Sequence, residues 1–171
     1  GIHNLCNAQC ALATGAILGL EKHLLCEGLK NFAGLPHRTS EVREVAGVIW
    51  INDSKATNPH AAAAGLRGIQ GPKIVIAGGY DKGLDLSPFV AGLGTAKCVI
   101  LVGPTTPRMA AALENTCPIQ KAPDLAGAVA MAASMAQSGD RVVLSPAASS
   151  FDAFESYGHR GRVFEALVGA L

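Results

Sequence analysis

Eight consecutive residues, Asn52-Asp53-Ser54-Lys55-Ala56-Thr57-Asn58-Pro59, gather a carboxylate, an ammonium group, two hydroxyls and two side-chain amides. They follow Val48-Ile49-Trp50-Ile51, an apolar, β-branched run that reads as a buried strand. They precede His60-Ala61-Ala62-Ala63-Ala64-Gly65-Leu66, which reads as a helix. The polar cluster therefore lies where a strand hands over to a helix. Strand carboxyl ends are where open α/β sheets bind ligands, and helix N-termini favour anions. Capping by Thr57 or Asn58, with Pro59 in the first helical position, accounts for only part of the run. It leaves Asp53 and Lys55 without a reason, which favours a ligand site.

Two further clusters also follow strand-like runs. Gly78-Gly79-Tyr80-Asp81-Lys82-Gly83 offers glycines for close backbone approach and a positive charge at Lys82, although a surface turn with a solvated lysine explains it equally well. Ser145-Pro146-Ala147-Ala148-Ser149-Ser150-Phe151-Asp152 offers hydroxyls and backbone N–H groups suited to a carboxylate or phosphate. Taken alone, that segment reads first as helix capping by Ser149 or Ser150. Tyr157, Arg160 and Arg162 come next, and two arginines near a helix start read as solvating a face. Near the N-terminus, Asn4 and Asn7 share a helix face beside His3; they can bond one flat heterocycle, or simply cap and solvate. His37-Arg38 follows Pro36, and an arginine there can offer its planar fork to phosphate or remain an exposed linker residue.

The elements that must carry these clusters alternate. Residues 4 to about 27 read as a helix weakened by Gly15 and Gly19, followed by a linker with a boundary near Gly34. An exposed strand over 39–46 and a buried one over 48–51 suggest a hairpin at Gly47. Helices over 58–68, 86–93, 105–115, 123–137 and 158–171 then alternate with strands over 73–77, 97–102, 141–145 and a short one near Ile119. That alternation predicts an α/β fold, Rossmann-like, with a mostly parallel sheet covered on both faces.

Composition narrows the rest. Of 171 residues, 49% are hydrophobic and 16% charged, a packed globular balance. A net charge of +1 without a basic block argues against nucleic acid or a membrane surface as partner. Five cysteines without a CxxC pair argue against a disulfide or zinc framework and for a reduced, cytoplasmic setting; Cys6 and Cys10 read as small core-facing residues. No metal site is expected. No run reaches membrane-spanning length, and the start Gly1-Ile2-His3-Asn4 lacks a Met, which suggests a piece of a longer polypeptide. The phosphate loop, the GxGxxG fingerprint, the GxSxG elbow and HExxH are all missing.

In order, Gly1-x-His3-Asn4-x-x-Asn7, Gly34-Leu35-Pro36-His37-Arg38, Trp50 through Asn58, Gly78-Gly79-x-Asp81-Lys82-Gly83-x-Asp85, Leu144-Ser145-Pro146-Ala147-x-x-Ser150-Phe151-Asp152-x-Phe154 and Arg160-Gly161-x-x-Phe164 resemble the C-terminal part of the Mur ligases. Among these the D-glutamate-adding type is most similar. The one departure noted is Ala148-Ser149, where relatives often carry Cys-Ala. The resemblance implies residues 1–34 as the helical tail of a central ATPase domain and 35–171 as the amino-acid-binding domain. It places the phosphate loop and Mg2+ ligands upstream, in the missing N-terminal and central domains. It implies ATP-driven joining of D-glutamate to UDP-N-acetylmuramoyl-L-alanine through an acyl phosphate, in peptidoglycan precursor synthesis, with the fragment inactive alone. By the same resemblance Asn4 and Asn7 meet adenine with His3 beside them, Arg38 meets ATP phosphate, Asp53 meets the ribose, and His37 belongs to the same ATP site. The resemblance also implies that Lys55, the catalytic residue, sits near the phosphate or the reaction centre. Thr57 and Lys82 hold the α-carboxylate of D-glutamate, Ser150 and the backbone around Phe151 its side-chain carboxylate, and Tyr157 closes that pocket. Alternatives are another Mur ligase or a folylpolyglutamate synthetase and, from a different class, a stand-alone Rossmann-type nucleotide-binding module, which the missing GxGxxG disfavours.

Overall fold

The computed structural model describes the backbone of residues 2–171 and the side chains of residues 5–171. The side chains of His3 and Asn4, expected near adenine, lie outside the described residues. The chain divides into two compact units, Gly1–Leu35 and Pro36–Leu171. In the first unit, α1 (Ile2–Ile17) and α2 (Lys22–Lys30) take the place of one interrupted helix. Gly19, at φ +78°, makes the break. Its N–H bonds to the Ala16 carbonyl and the Leu20 N–H to the Gly15 carbonyl, the paired C-terminal bonds of a Schellman motif. Cys6 and Cys10 are exposed rather than core-facing. The unit supplies two helices and α2 has no buried residue, so it encloses too little to bury them.

The second unit opens with a hairpin of β1 (Ser40–Val45) and β2 (Val48–Asn52). Its turn is Ala46-Gly47, both left-handed at φ +50° and +78°, which matches the twist of the two strands. Next come α3 (Pro59–Gly68), β3 (Lys73–Gly78), α4 (Ser87–Gly92), β4 (Ala96–Val102), α5 (Thr106–Ala112), β5 (Ile119–Lys121), α6 (Leu125–Met135), β6 (Arg141–Leu144) and α7 (Tyr157–Gly169). The six strands lie in the order β1-β2-β6-β3-β4-β5, parallel except for β1. This is the mostly parallel α/β sheet the alternation predicted. The insertion of β6 between β2 and β3 is the feature that matters for the site.

Each central strand is apolar on both sides because helices cover both faces. Ile51, Val75, Ala77, Val99, Leu101 and Val143 pack with Leu66, Phe89, Leu93 and Met109 on the face that carries α3, α4 and α5. Trp50, Ile74, Ile76, Ile100, Val142 and Leu144 pack on the other face, against Leu125, Val129, Phe164 and Val168 of α6 and α7. Trp50 and Phe164 anchor that second layer, with ring centroids 6.2 Å apart. Among the described residues no helix is long and apolar enough to cross a membrane.

The starts of α3 and α6 are fixed by side chains. Asn58 accepts from the Ala61 N–H at 2.9 Å and Asp124 from the Gly127 N–H at 2.7 Å. Asp124 follows β5, the edge strand, and lies outside the loops that leave β2, β6 and β3, so Asp124→Ala isolates the value of a cap. The substitution should lower the unfolding free energy by about 1 kcal/mol in urea titration; an unchanged midpoint would remove the capping role.

Candidate functional site at the strand ends

Because β2, β6 and β3 are neighbours, the loops leaving their carboxyl ends emerge side by side. The parallel ladder continues into those loops. The Asp53 N–H bonds to the Leu144 carbonyl at 2.8 Å, the Ser145 N–H to Ile76 at 3.0 Å and the Gly78 N–H to Pro146 at 2.8 Å. Tyr80 and Ser149 then exchange backbone bonds of 2.9 and 3.3 Å, which zips the β3 loop to the β6 loop. Glycine is required at this seam. A Cβ on Gly78 would lie 2.0 Å from the Val102 carbonyl oxygen, and one on Gly79 would lie 2.2 Å from that of Ser149.

Arg160 fastens the loops from beneath. It is 3% exposed, whereas a solvated face was expected. Its Nε donates to Ser54 Oγ at 3.0 Å and its Nη2 to the Ser54 carbonyl at 2.9 Å. Its Nη1 donates to the carbonyl of Ser149 at 3.2 Å, and both terminal nitrogens reach that of Ala148 at 3.3 Å. Burial pushes the guanidinium pKa down to about 10, with the nearby Asp152 charge opposing the shift, so Arg160 still carries its charge at neutral pH. The signal that reveals it is spacing. Arg160, Phe164 and Val168 stand four apart, and the latter two are core residues, so all three share the buried stripe of α7.

Asp53 is similarly drawn inward, at 4% exposure. Its Oδ1 accepts from the Thr39 N–H at 3.1 Å and the Thr39 hydroxyl at 3.2 Å, and its Oδ2 accepts from Ser145 Oγ at 3.1 Å. A Cβ on Gly65 would lie 2.5 Å from Oδ2, so α3 presses directly on the carboxylate. Burial raises the Asp53 pKa to about 6, against the opposing pull of the Ser145 and Thr39 hydrogen bonds and the Arg38 charge. The carboxylate that seemed to need a ligand thus has a structural role: it ties Thr39 and the β6 loop to the end of β2.

The remaining predicted residues fall into two groups. Thr57 and Lys82 line one cleft with Tyr80, Asp81, Thr105, Ala147 and Ala148, over an apolar floor of Leu84, Leu86 and Met109. The loops leaving β2, β3 and β6 meet there, joined by Thr105 from the loop after β4. Ser150 lies just beyond Ala148 and is buried, whereas Phe151 is exposed and stands apart from the cleft lining. The second group gathers around Lys55. Its Nζ stands 3.9 Å over the centre of the Tyr157 ring, which in turn meets His37 edge-on at 6.5 Å. His37, at φ +61°, is held by its own carbonyl accepting from the Lys55 N–H at 2.9 Å. Its Nδ1 lies 2.9 Å from Asn52 Nδ2, which also reaches Glu165 Oε1 at 2.7 Å. Arg38, next along the chain, is exposed. Asn7 is exposed on α1 within the first unit. Glu165, which with Asn52 sets His37, does not stand out in the sequence because its partners are remote in the chain. Among the described residues no group of three or more His, Cys, Asp or Glu side chains gathers to hold a metal.

Comparison with known proteins supplies the context. The pattern of the family described as Mur ligase, glutamate ligase domain, matches residues 37–148. The chain is similar to the UDP-N-acetylmuramoylalanine–D-glutamate ligase of Nitrosococcus oceani, at 44% identity over 171 residues that cover 98% of this chain and 38% of that protein. It is similar to the enzyme of the same name from Symbiobacterium thermophilum, at 42% identity over 175 residues covering 100% of this chain and 38% of that protein. The chain therefore spans less than half the length of the curated relatives it matches. In fold it is similar to the UDP-N-acetylmuramate-alanine ligase of Thermotoga maritima (TM-score 0.72, 16% identity, 99% of this chain and 38% of that one). A pseudomurein peptide ligase type C from Methanothermus fervidus has a TM-score of 0.71 at 18% identity, over 99% of this chain and 36% of its own.

The two buried ionisable groups give separate tests. Arg160→Met should cost about 3 kcal/mol in urea unfolding, because the carbonyls of Ser54, Ala148 and Ser149 lose a charged donor; a loss below about 0.5 kcal/mol would contradict the staple. Asp53 has a folded pKa near 6 against an ordinary value of 3.8, so the folded state binds the extra proton between those pH values. Its contribution to stability is greatest below pH 4 and declines as pH rises through 6, by on the order of 3 kcal/mol. Asp53→Asn should flatten that decline in unfolding measurements at pH 4 to 7, and a curve parallel to the parent's would exclude the assignment.

Proposed function

The chain belongs to the Mur ligase family, and we propose that it is the amino-acid-binding part of an ATP-dependent ligase that joins D-glutamate to UDP-N-acetylmuramoyl-L-alanine. The observation that carries this reading is the meeting of Thr57 and Lys82 in one cleft walled by strand-end loops. A dicarboxylic amino acid needs paired positive and hydroxyl donors at fixed separation, and strands of one sheet supply fixed separation. The names of the curated relatives support D-glutamate as that amino acid.

In the proposed reaction ATP phosphorylates the alanine carboxylate of the UDP-sugar substrate. The amine of D-glutamate then attacks the acyl phosphate and expels phosphate. This chain's residues contribute positioning and charge stabilisation. Thr57 and Lys82 hold the α-carboxylate and so aim the amine. Ser150 and the backbone around Phe151 are assigned to the side-chain carboxylate and Tyr157 to closing the pocket, which requires them to turn toward the cleft, since none of the three lines it here.

Lys55 stabilises negative charge at the phosphate. Its contact with the Tyr157 ring favours such a role: a cation–π contact of about 0.5–1 kcal/mol is weaker than a charge-assisted hydrogen bond of about 1.5–3 kcal/mol. The ring therefore orients the ammonium yet yields it to phosphate.

His3, Asn4 and Asn7 are assigned to adenine, and His37 and Arg38 to the ATP phosphates. The exposed fork of Arg38 fits that role. A ribose contact from Asp53 would require its buried carboxylate to be uncovered. Mg2+ and the phosphate loop belong, in this reading, to parts of the polypeptide outside this chain, residues 1–34 being the tail of the ATPase domain. This chain alone should give no turnover.

The test is kinetic, in the full-length polypeptide. Lys82→Ala should raise the KM for D-glutamate tenfold or more, the loss expected for one charge-assisted bond, while the KM for ATP stays within twofold. Equal D-glutamate KM values in parent and variant would eliminate the proposed carboxylate site.

A further inference from the structure

We propose that Arg108, near the start of α5, is a positioning residue that sets the Lys82 loop for the amino-acid carboxylate. This rests on the assignment of Lys82 to that carboxylate. Lys82 is exposed, and among the described residues its ammonium makes no hydrogen bond or ion pair, so its position depends on the backbone that carries it. The loop after Gly79 has no ladder partner beyond the Tyr80–Ser149 bridge. Arg108 supplies what the ladder does not. Its Nη1 donates to Asp81 Oδ1 at 2.8 Å and its Nη2 to the Leu84 carbonyl, so one guanidinium grips the chain on both sides of Lys82. Asp81 Oδ1 also accepts from the Gly83 N–H at 2.8 Å, which closes the turn around Lys82.

The two sides of the loop differ. Asp81, Lys82 and Leu84 line the cleft that holds Thr57. Arg108 lines the neighbouring groove behind the loop, with Gly83 and Asp85. It therefore braces Lys82 from behind, outside the cleft lining. The Arg108 and Asp81 side chains are 38% and 33% exposed, and pairs so exposed add little to global stability. The arrangement instead suits local preorganisation: a loop and a long side chain already ordered need not be ordered by the ligand. Lysine cannot reproduce it, because a point charge cannot engage two acceptors through a fixed planar fork.

The experiment compares Arg108→Ala, Arg108→Lys, Lys82→Ala and the double alanine variant in the full-length polypeptide. Arg108→Ala should raise the KM for D-glutamate three- to tenfold while kcat and the KM for ATP stay within twofold, and Arg108→Lys should fall between it and the parent. In the double variant the D-glutamate KM should equal that of Lys82→Ala alone, because Arg108 acts only through Lys82. If Arg108→Ala leaves that KM unchanged while Lys82→Ala raises it, the carboxylate site stands and the brace is overturned. Additive effects in the double variant overturn it as well. If Lys82→Ala is itself silent, the site fails and the brace with it. Should Arg108→Ala not fold, Asp81→Asn decides. It removes the ion pair but keeps the turn's oxygen acceptor, and the brace requires the same selective rise in D-glutamate KM.

Discussion

A single buried cation holds the site together. Arg160 places its guanidinium where the loops from β2 and β6 meet, and every bond it makes goes to a neutral oxygen of Ser54, Ala148 or Ser149. Taking that charge out of water is costly, and the cost is offset only because the planar group finds acceptors in several directions at once. Ser54 is doubly engaged, since its hydroxyl also donates to the Tyr157 carbonyl at 2.8 Å, so the start of α7 is tied to the end of β2. Gly79 approaches the same guanidinium, and a Cβ there would lie 3.2 Å from Nη1. Two loops are thus bonded to one rigid fork, and the third passes close beside it.

Sheet order explains why those loops can meet. The last strand, β6, lies between β2 and β3 rather than at an edge. Its loop therefore has the Lys55–Thr57 segment on one side and the Lys82 segment on the other. The buried Asp53 and Arg160 lie under the loops, and the exposed or half-exposed Lys55, Thr57 and Lys82 lie above them. Burial sorts the charges by role. Those committed to internal partners hold the frame, and those left at the surface are available to an anionic ligand. Lys55 with Tyr157 and Thr57 with Lys82 form two groups separated by a single residue of the β2 loop. That separation places two cationic groups side by side on one loop edge.

The strands, the helices and the break at Gly19 are legible in the sequence because hydrophobic period and glycine placement are local properties. The parallel, doubly covered sheet follows from the alternation. The strand order is not legible, since the place of β6 is set by ladder partners far away in the chain. Asp53 reads as a ligand group because its run gives it no local partner; Thr39 and Ser145 supply one only after folding. Arg160 reads as a solvated residue beside Arg162, and only its four-residue spacing from Phe164 points inward. The fold and the clusters that surround the cleft are within reach of the sequence. The division between supporting and ligand-facing charges needs tertiary burial.

The most direct measurement is a crystal structure of the full-length polypeptide with D-glutamate bound alongside the UDP-sugar and an unreactive ATP analogue. The account predicts the α-carboxylate within hydrogen-bonding distance of Thr57 Oγ1 and Lys82 Nζ, with the Arg160 bonds to Ser54, Ala148 and Ser149 intact beneath it. A D-glutamate bound elsewhere, with Thr57 and Lys82 untouched, would contradict it.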